Sequence, residues 1–378
     1  MVTVVKALPE VCWLTAIVAV PLAVNPYFIE PFVWPRTLIL LVLASLLVVF
    51  AVGRELAGGL ELWGKFLRRP LVIASLALLA AQAASTYFST NPYISVWGRA
   101  GRNNGLLTFA ACTVMFLAVV RYADKGARER LLIGVLVSAL LVAVCALVLT
   151  ATYEGRVAGT LGNPIFLGAF MLVPIFIAAS YANKNRLMWP VYLVLLWALF
   201  AAVSRGPALG LMVGSGLMFW KGMRAVAVVG IVVGAAVFVA RMGPGYTDNM
   251  VKRVEIWGEG YQTASDAPMF RNVVGYGPDM WLYEGEGMRG ITTYAGVAHN
   301  VPIQVFVTTG IVGLTAFLAL WGAAAVAAHR STTDWFFPAL SALFVESMFG
   351  LTMVAILLMF WITLGSIESE VPTRCEST

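Results

Sequence analysis

The stretch RAVAVVGIVVGAAVFVAR, residues 224–241, holds no charged side chain between its two terminal arginines. A membrane-spanning helix needs roughly 20 apolar residues, because the bilayer core offers no water to hydrogen-bond the backbone. Directly after this stretch the chain turns polar over residues 242–298, and it becomes apolar again from residue 300. The alternation predicts one membrane helix, an aqueous loop and then another membrane helix.

Apolar runs of this kind recur along all 378 residues, of which 60% are hydrophobic and 12% charged. Such a composition exceeds what a soluble domain contains. We therefore predict an all-α, polytopic bundle of about twelve membrane helices in one domain covering residues 1–378, with residues 242–298 as an inserted loop. The predicted spans are 11–30, 34–53, 70–88, 105–120, 131–152, 163–182, 187–203, 207–221, 224–241, 300–327, 335–350 and 352–367. Residues 335–367 fit one long tilted helix as well as a pair.

The distribution of basic residues predicts the orientation of these helices. With the N-terminus in the cytoplasm, short cytoplasmic segments hold most of the 25 lysines and arginines, and residues 242–298 lie outside. This bias accounts for the formal charge of +6, so no nucleic-acid partner is expected. Three of the four cysteines lie inside apolar runs and one lies in the tail, which predicts neither a disulfide framework nor a metal site.

His299 is one of two histidines and stands where the polar loop meets the next apolar run. An imidazole exchanges protons near neutral pH, so this position fits a general base as well as a structural hydrogen bond. The other, His329, lies in a predicted cytoplasmic loop and fits a solvated residue.

Several arginines gather on the predicted outer face. Arg102 lies in the loop SVWGRAGRNNG (residues 95–105), Arg205 directly precedes a Gly-Pro helix start, and Arg253 lies in the long loop. A guanidinium keeps its charge and matches the geometry of phosphate oxygens. The same positions also fit side chains that reach toward lipid headgroups. We therefore expect either headgroup contacts or a site for a pyrophosphate or similar dense anion.

The long loop is predicted to contain a helix over residues 250–261, capped by Thr247 or Asp248. Arg253 and Trp257 are four residues apart and would share a face of this helix. Trp257 fits two roles, packing the loop onto the bundle or stacking against a sugar ring.

Glu346 is the acid that falls inside a predicted span. An acid in that position fits a functional role or a buried hydrogen bond equally well. The outer segments contain no acid pair, no Ser-His-Asp arrangement and no metal-ligand cluster, so we expect neither a metal nor another cofactor.

Six short motifs occur in a characteristic order along residues 95–320. They are GTLGNP (159–164), SRG (204–206), RVEIW (253–257), GYGPD (275–279), AHN (298–300) and GIVGL (310–314). In order and spacing the chain resembles the O-antigen ligase and polymerase superfamily, which includes bacterial O-linked oligosaccharyltransferases.

The resemblance implies a GT-C-type glycosyltransferase of the bacterial inner membrane, with cytoplasmic termini and an extracytoplasmic active site. It implies transfer of a glycan from an undecaprenyl-pyrophosphate carrier to a hydroxyl of a lipid or glycan acceptor, such as lipid A-core or another envelope glycan, without a metal. By motif position, His299 corresponds to the general base, and Arg205, Arg253 and Arg102 correspond to pyrophosphate ligands. The further candidate ligands are Asn163, Trp257 and Asn300.

Many relatives carry Asp-Arg before the AHN motif, whereas Gly296 and Val297 stand there in this chain. The resemblance therefore assigns no acid partner to His299. It leaves two activities open: en bloc ligation, which we favour, and polymerisation of lipid-linked repeat units. Two further alternatives are a flippase or transporter of anionic lipids and a membrane scaffold without catalysis.

Overall fold

The computed structural model describes residues 2–58, 66–149, 152–153, 156–240, 242, 246–281, 297–350 and 352–370. Most of these residues are helical. The helices are α1 (Val2–Leu22), α2 (Trp34–Gly58), α3 (Pro70–Tyr87), α4 (Pro92–Trp97), α5 (Leu106–Tyr122), α6 (Lys125–Leu149), α7 (Pro164–Lys184), α8 (Trp189–Ala202), α9 (Arg205–Trp220), α10 (Arg224–Ala240), α11 (Tyr246–Ser265), α12 (Met269–Val274), α13 (Val301–Arg330), α14 (Phe336–Ser347) and α15 (Val354–Glu370). Two-residue strands, β1 (Thr152–Tyr153) and β2 (Arg156–Val157), form a small antiparallel ladder.

The helices form a membrane bundle, as the composition predicts. Within the described ranges, α2, α3, α6, α7 and α13 are long and apolar enough to cross a membrane, and α1, α5, α8, α10 and α14 contain shorter apolar helices. Large apolar side chains such as Val49 and Val148 are 70% exposed on the outside of the bundle, where lipid would surround them. The all-α membrane class is confirmed, while the number of spans and the GT-C fold stay predictions.

Helix α7 is the most buried of the long apolar helices. Its sequence has no polar face, and Phe170 and Phe176 are at most 1% exposed. Nearby, α9 packs closely on α14. The missing side chain of Gly214 allows this approach, since a Cβ there would lie only 2.8 Å from the Pro338 carbonyl oxygen. Small residues at helix contacts let membrane helices approach this way. The packing brings the start of α9 beside the end of α14.

Two breaks in the apolar helices position the site. Residues 335–367 form a pair, α14 and α15, rather than one long helix. The predicted span over 300–327 is interrupted, because Gly310 inside α13 has a φ of 67°. Near this break the Thr308 carbonyl accepts hydrogen bonds from the Gly277 amide at 2.8 Å and from Ser85 Oγ at 2.6 Å. The GYGPD turn therefore docks onto the first third of α13, just before its break.

Part of the loop over residues 242–298 is described, while residues 243–245 and 282–296 lie outside the described ranges. The predicted loop helix is confirmed as α11, but it begins earlier than expected. Thr247 and Asp248 lie inside the helix rather than before it, so the cap prediction was wrong. Because the helix already includes Tyr246, residues 247 and 248 belong to its first turn and cannot act as the residue that precedes it.

Candidate active site

His299 lies at the end of the bundle from which residues 242–298 emerge, hereafter the loop end. Its backbone is in the left-handed region, with a φ of 51°. The next residue, Asn300, caps α13: its Oδ1 accepts from the Ile303 amide at 3.0 Å, and its Nδ2 donates to the Met348 carbonyl at 3.3 Å. Asn300 therefore ties the start of α13 to the end of α14 and fixes the backbone beside His299.

Two side chains hold the residue before His299. Trp257 Nε1 donates to the Ala298 carbonyl at 2.8 Å, and the Ala298 amide donates to Gln304 Oε1 at 2.9 Å. Trp257 also packs against a small apolar cluster that contains Ile256. The structure thus gives Trp257 the loop-packing role, and its contact with a sugar stays a prediction.

Arg253, Arg205 and Glu346 converge from three different helices. Arg253 Nη1 donates to the Phe349 carbonyl at 3.0 Å, just beyond the end of α14. Burial lowers the pKa of Arg253, the charge of Arg205 lowers it further, and the carboxyl of Glu346 opposes both effects. A Cβ at Gly206 would lie 3.4 Å from Phe349 Cβ, which shows how closely the start of α9 approaches the same segment.

A second charged group lies at the same end. Asp279 Oδ2 accepts from the Arg99 amide at 2.6 Å. Burial raises the pKa of Asp279, and its hydrogen bonds and the nearby arginines oppose that rise. Burial lowers the pKa of Arg102, an effect that Asp279 opposes and the charge of Arg99 reinforces. The last residue of the GYGPD motif therefore anchors the loop that carries Arg102.

These groups set the protonation of His299. Burial, followed by the charges of Arg253 and Arg102, lowers the pKa of His299 from 6.5 to about 4. Its imidazole is therefore neutral near pH 7 and able to accept a proton. Nδ1 of the ring has no hydrogen-bond partner among the described residues.

A cavity runs from this site into the bundle, bounded by α3, α5, α13, α14 and α15 and by the GYGPD turn. Its wall is polar at the loop end, where it includes Asn104, Asp279, His299, Asn300, Gln304 and Glu346. Further along it is apolar and aromatic, with Phe317, Leu320, Trp321, Leu343, Phe360 and Trp361. A cavity with one polar and one apolar end fits an amphipathic ligand.

Most of the predicted site residues lie near His299 or in the cavity wall, but Asn163 does not. Arg253, Arg205 and Arg102 act electrostatically on one another or on His299, and Asn300 lines the cavity with His299. Asn163 instead caps α7, where its Oδ1 accepts from the Ile165 amide at 2.9 Å. It does not line this cavity, so its role as a ligand stays a prediction.

Three residues in or beside the site were not selected from the sequence. Glu346 was noticed as an acid inside a span but had no assigned role. Asp279 ends the GYGPD motif, which was a usable signal. Asn104 sits in an ordinary polar loop and carries no signal in the sequence; only the fold brings it to the cavity. The described part of the chain contains no group of three or more His, Cys, Asp or Glu side chains arranged to hold a metal.

A family model described as O-antigen ligase matches residues 190–318. The matched segment contains Arg205, Arg253 and His299, whereas Arg102, Asn163 and Glu346 lie outside it. Comparison with curated proteins found no match. This match supports membership of the chain in the O-antigen ligase and polymerase superfamily, as its motifs indicate.

Proposed function

We propose that this protein transfers a glycan from undecaprenyl pyrophosphate to an acceptor hydroxyl on the extracytoplasmic face of a bacterial inner membrane. Lipid A-core or another envelope glycan would supply the hydroxyl. The observation that carries the proposal is a neutral imidazole close to the fixed charges of Arg253 and Arg102, at the polar end of a cavity with an apolar interior. The O-antigen ligase segment supports the same class of reaction.

The arginines would bind and stabilise the leaving group. Pyrophosphate leaves as an anion, and fixed guanidinium groups lower the barrier by neutralising the charge that develops on it. Arg205 and Arg253 come from different helices, so together they can contact separate phosphate oxygens. Arg205 is also the first residue of a 16-residue helix, where the backbone dipole favours an anion.

His299 would act as the general base. The acceptor O–H bond breaks and its proton passes to the neutral imidazole, while the oxygen forms a bond to the anomeric carbon. The bond from that carbon to the pyrophosphate oxygen breaks, and its electron pair leaves with the pyrophosphate. Attack opposite the leaving group inverts the anomeric centre. Donor binding helps the base, because the pyrophosphate charge offsets the two arginines that weaken the basicity of His299.

The test is transfer by purified protein in liposomes, with a labelled undecaprenyl-pyrophosphate glycan and a lipid-linked or glycan acceptor. We expect His299→Asn to slow transfer by roughly 10²- to 10⁴-fold, the usual contribution of a general base. Asparagine tolerates the left-handed backbone at this position, so the fold should be kept. The control is His329→Gln, which removes the other histidine and should leave transfer unchanged.

Unchanged transfer by His299→Asn would overturn the assignment of the base. The product separates the two related activities. A single addition to the acceptor supports ligation, whereas a ladder of lengthening products supports polymerisation by the same site.

A further inference from the structure

Helix α3 presents an exposed row of residues along the length of a membrane span. The row follows a helical spacing and consists of Ile73, Ala77, Ala80, Ala84 and Tyr87. Because α3 is long and apolar enough to cross a membrane, this row faces lipid. It ends at the loop end of the bundle with Tyr87, which is 80% exposed.

The apolar surface continues from the end of α3 onto α12. The rings of Tyr87 and Phe88 meet edge to face with their centroids 5.0 Å apart, and Phe88 meets Phe270 of α12 in the same way, also at 5.0 Å. Phe270 is 48% exposed, and Met269 beside it is 84% exposed. Val273, one turn further along α12, is exposed as well. Helix α12 therefore extends the lipid-facing row, although it belongs to the stretch that the sequence predicts as an aqueous loop.

Arg271 fixes α12 against the end of α3. Its Nη1 donates to the Phe88 carbonyl at 2.7 Å and to the Gly275 carbonyl at 3.2 Å. Its guanidinium also lies over the ring of Tyr276, 5.3 Å from the centroid. The charged side chain of α12 is thus turned toward the protein backbone, while its large apolar side chains point outward. This arrangement is the reverse of what a helix facing water shows.

An outward-facing apolar surface of this kind marks contact with a protein or a membrane. Two observations favour the membrane. The surface is continuous with the lipid-facing row of α3, and it begins where that span ends, at an exposed tyrosine. Tyrosine is enriched at the level where membrane helices meet the lipid headgroups.

We propose that α12 is a membrane-contact helix: Met269 and Phe270 insert among the lipid headgroups at the loop end, and this contact helps to hold the GYGPD turn. The turn begins directly after α12, and its Gly277 amide donates to the Thr308 carbonyl of α13 at 2.8 Å. The partner is the lipid leaflet itself, a boundary between charged headgroups and hydrocarbon that accepts apolar side chains. The inference does not depend on the proposed reaction.

The depth of α12 is measured with a nitroxide spin label in nanodiscs of phosphatidylethanolamine and phosphatidylglycerol. The label is attached to Met269→Cys in a variant whose four natural cysteines are replaced by alanine. Oxygen concentrates in hydrocarbon and a nickel chelate stays in water, so the ratio of the label's accessibility to the two reports its surroundings. Val49→Cys, on the outside of α2, is the lipid reference, and Lys252→Cys, exposed on α11, is the aqueous reference. The ratio at Met269 should lie nearer to that at Val49.

A ratio at Met269 equal to that at Lys252 would overturn the proposal, because α12 would then be exposed to water. Low accessibility to both reagents would also overturn it, since protein rather than lipid would then cover the surface. Because Met269 is largely exposed, the labelled variant should unfold at the same temperature as the cysteine-free protein.

Hydrogen exchange tests whether the lipid contact holds the turn. The Tyr276 and Gly277 amides both donate to carbonyls of α13. Met269→Asp places a charge in the proposed lipid contact and should speed exchange of these amides in nanodiscs by roughly 3- to 10-fold. Gln262→Asp is the control, because it adds the same carboxylate at an exposed position on α11 and should leave the two amides unchanged. An unchanged rate in Met269→Asp, or an equal acceleration by Gln262→Asp, would overturn the role of the lipid contact in holding the turn.

Discussion

At the scale of single residues, the chemistry of His299 is decided by its neighbours rather than by its own side chain. An exposed histidine titrates near pH 6.5. Here burial and two nearby arginines favour the neutral ring. An imidazole with a lowered pKa is a weaker base, but its ring is in the neutral, proton-accepting form across the whole physiological pH range.

We expect His299 to stay neutral down to a pH of about 4 in the free protein. Because the chain has two histidines, NMR of histidine-labelled protein gives two ring signals, and His329→Gln assigns them. Positive charge disfavours the protonated ring, so Arg253→Met should move the pKa of His299 upward toward 6.5. A wild-type midpoint near 6.5 would contradict the buried, arginine-flanked site.

The two arginines of the proposed pyrophosphate site give a second residue-level prediction. Arg205→Met and Arg253→Met should each weaken binding of sugar-free undecaprenyl pyrophosphate by roughly 10- to 100-fold, since a charged hydrogen bond contributes about 1.5–3 kcal/mol. Titration calorimetry in nanodiscs measures the change. Lys252→Met is the control, because it removes the same charge from an exposed position next to Arg253. Equal, small losses in all three variants would indicate a general charge effect without a specific site.

At the scale of helices, the site is positioned by the places where apolar helices are interrupted rather than by their continuous stretches. The interruption of α13 at Gly310 lies next to the carbonyl that receives the GYGPD turn, and the gap between α14 and α15 carries the contacts of Arg253, Asn104 and Asn300. Backbone that leaves the helix inside a membrane protein is tolerated where other protein groups satisfy it. These breaks therefore convert apolar helices into parts of a polar site.

We expect Gly310→Ala to destabilise the protein by about 2 kcal/mol or more and to slow transfer. A residue with a side chain is disfavoured at this left-handed backbone conformation, and its Cβ would overlap the Val273 carbonyl oxygen. Gly322→Ala in the same helix is the control: no atom lies within 4 Å of its Cβ, and alanine should stabilise the helix by about 0.5–1 kcal/mol. Thermal unfolding in detergent compares the two. Equal stability of both variants would show that the break at Gly310 is not required.

At the scale of the whole molecule, the bundle has a loop end that carries the site and an opposite end that is richer in basic residues. From the positive-inside rule we expect the opposite end to face the cytoplasm. In this arrangement the cavity has its polar end toward the outer surface and its apolar end within the membrane. A lipid-linked donor made inside and turned outward would meet the site in that orientation.

This orientation is tested by cysteine labelling in a variant whose four natural cysteines are replaced by alanine. Ile29 is 98% exposed near the loop end, and Leu187 is 82% exposed at the opposite end. A membrane-impermeant maleimide should label Ile29→Cys in cells with a permeabilised outer envelope and an intact inner membrane. It should label Leu187→Cys only after the inner membrane is opened. The reverse pattern would invert the topology and place the site in the cytoplasm.

The sequence by itself determined the membrane class, the approximate position of most helices and the loop helix, and it indicated the superfamily. These follow from local properties: hydrophobic run length, charge at the run ends and short motifs whose residues are neighbours in the chain. His299, Arg205 and Arg253 were identified for the same reason, because each stands in such a motif.

Only the tertiary structure decided which of these residues act on one another. It placed Glu346 beside Arg253, brought Asn104 and Gln82 to the cavity, and gave Asn163 and Trp257 structural contacts. It also divided residues 335–367 into two helices and broke α13 at Gly310. Such facts depend on contacts between residues far apart in the chain and on burial. Burial also sets the protonation of His299, and no local pattern of residue types encodes it.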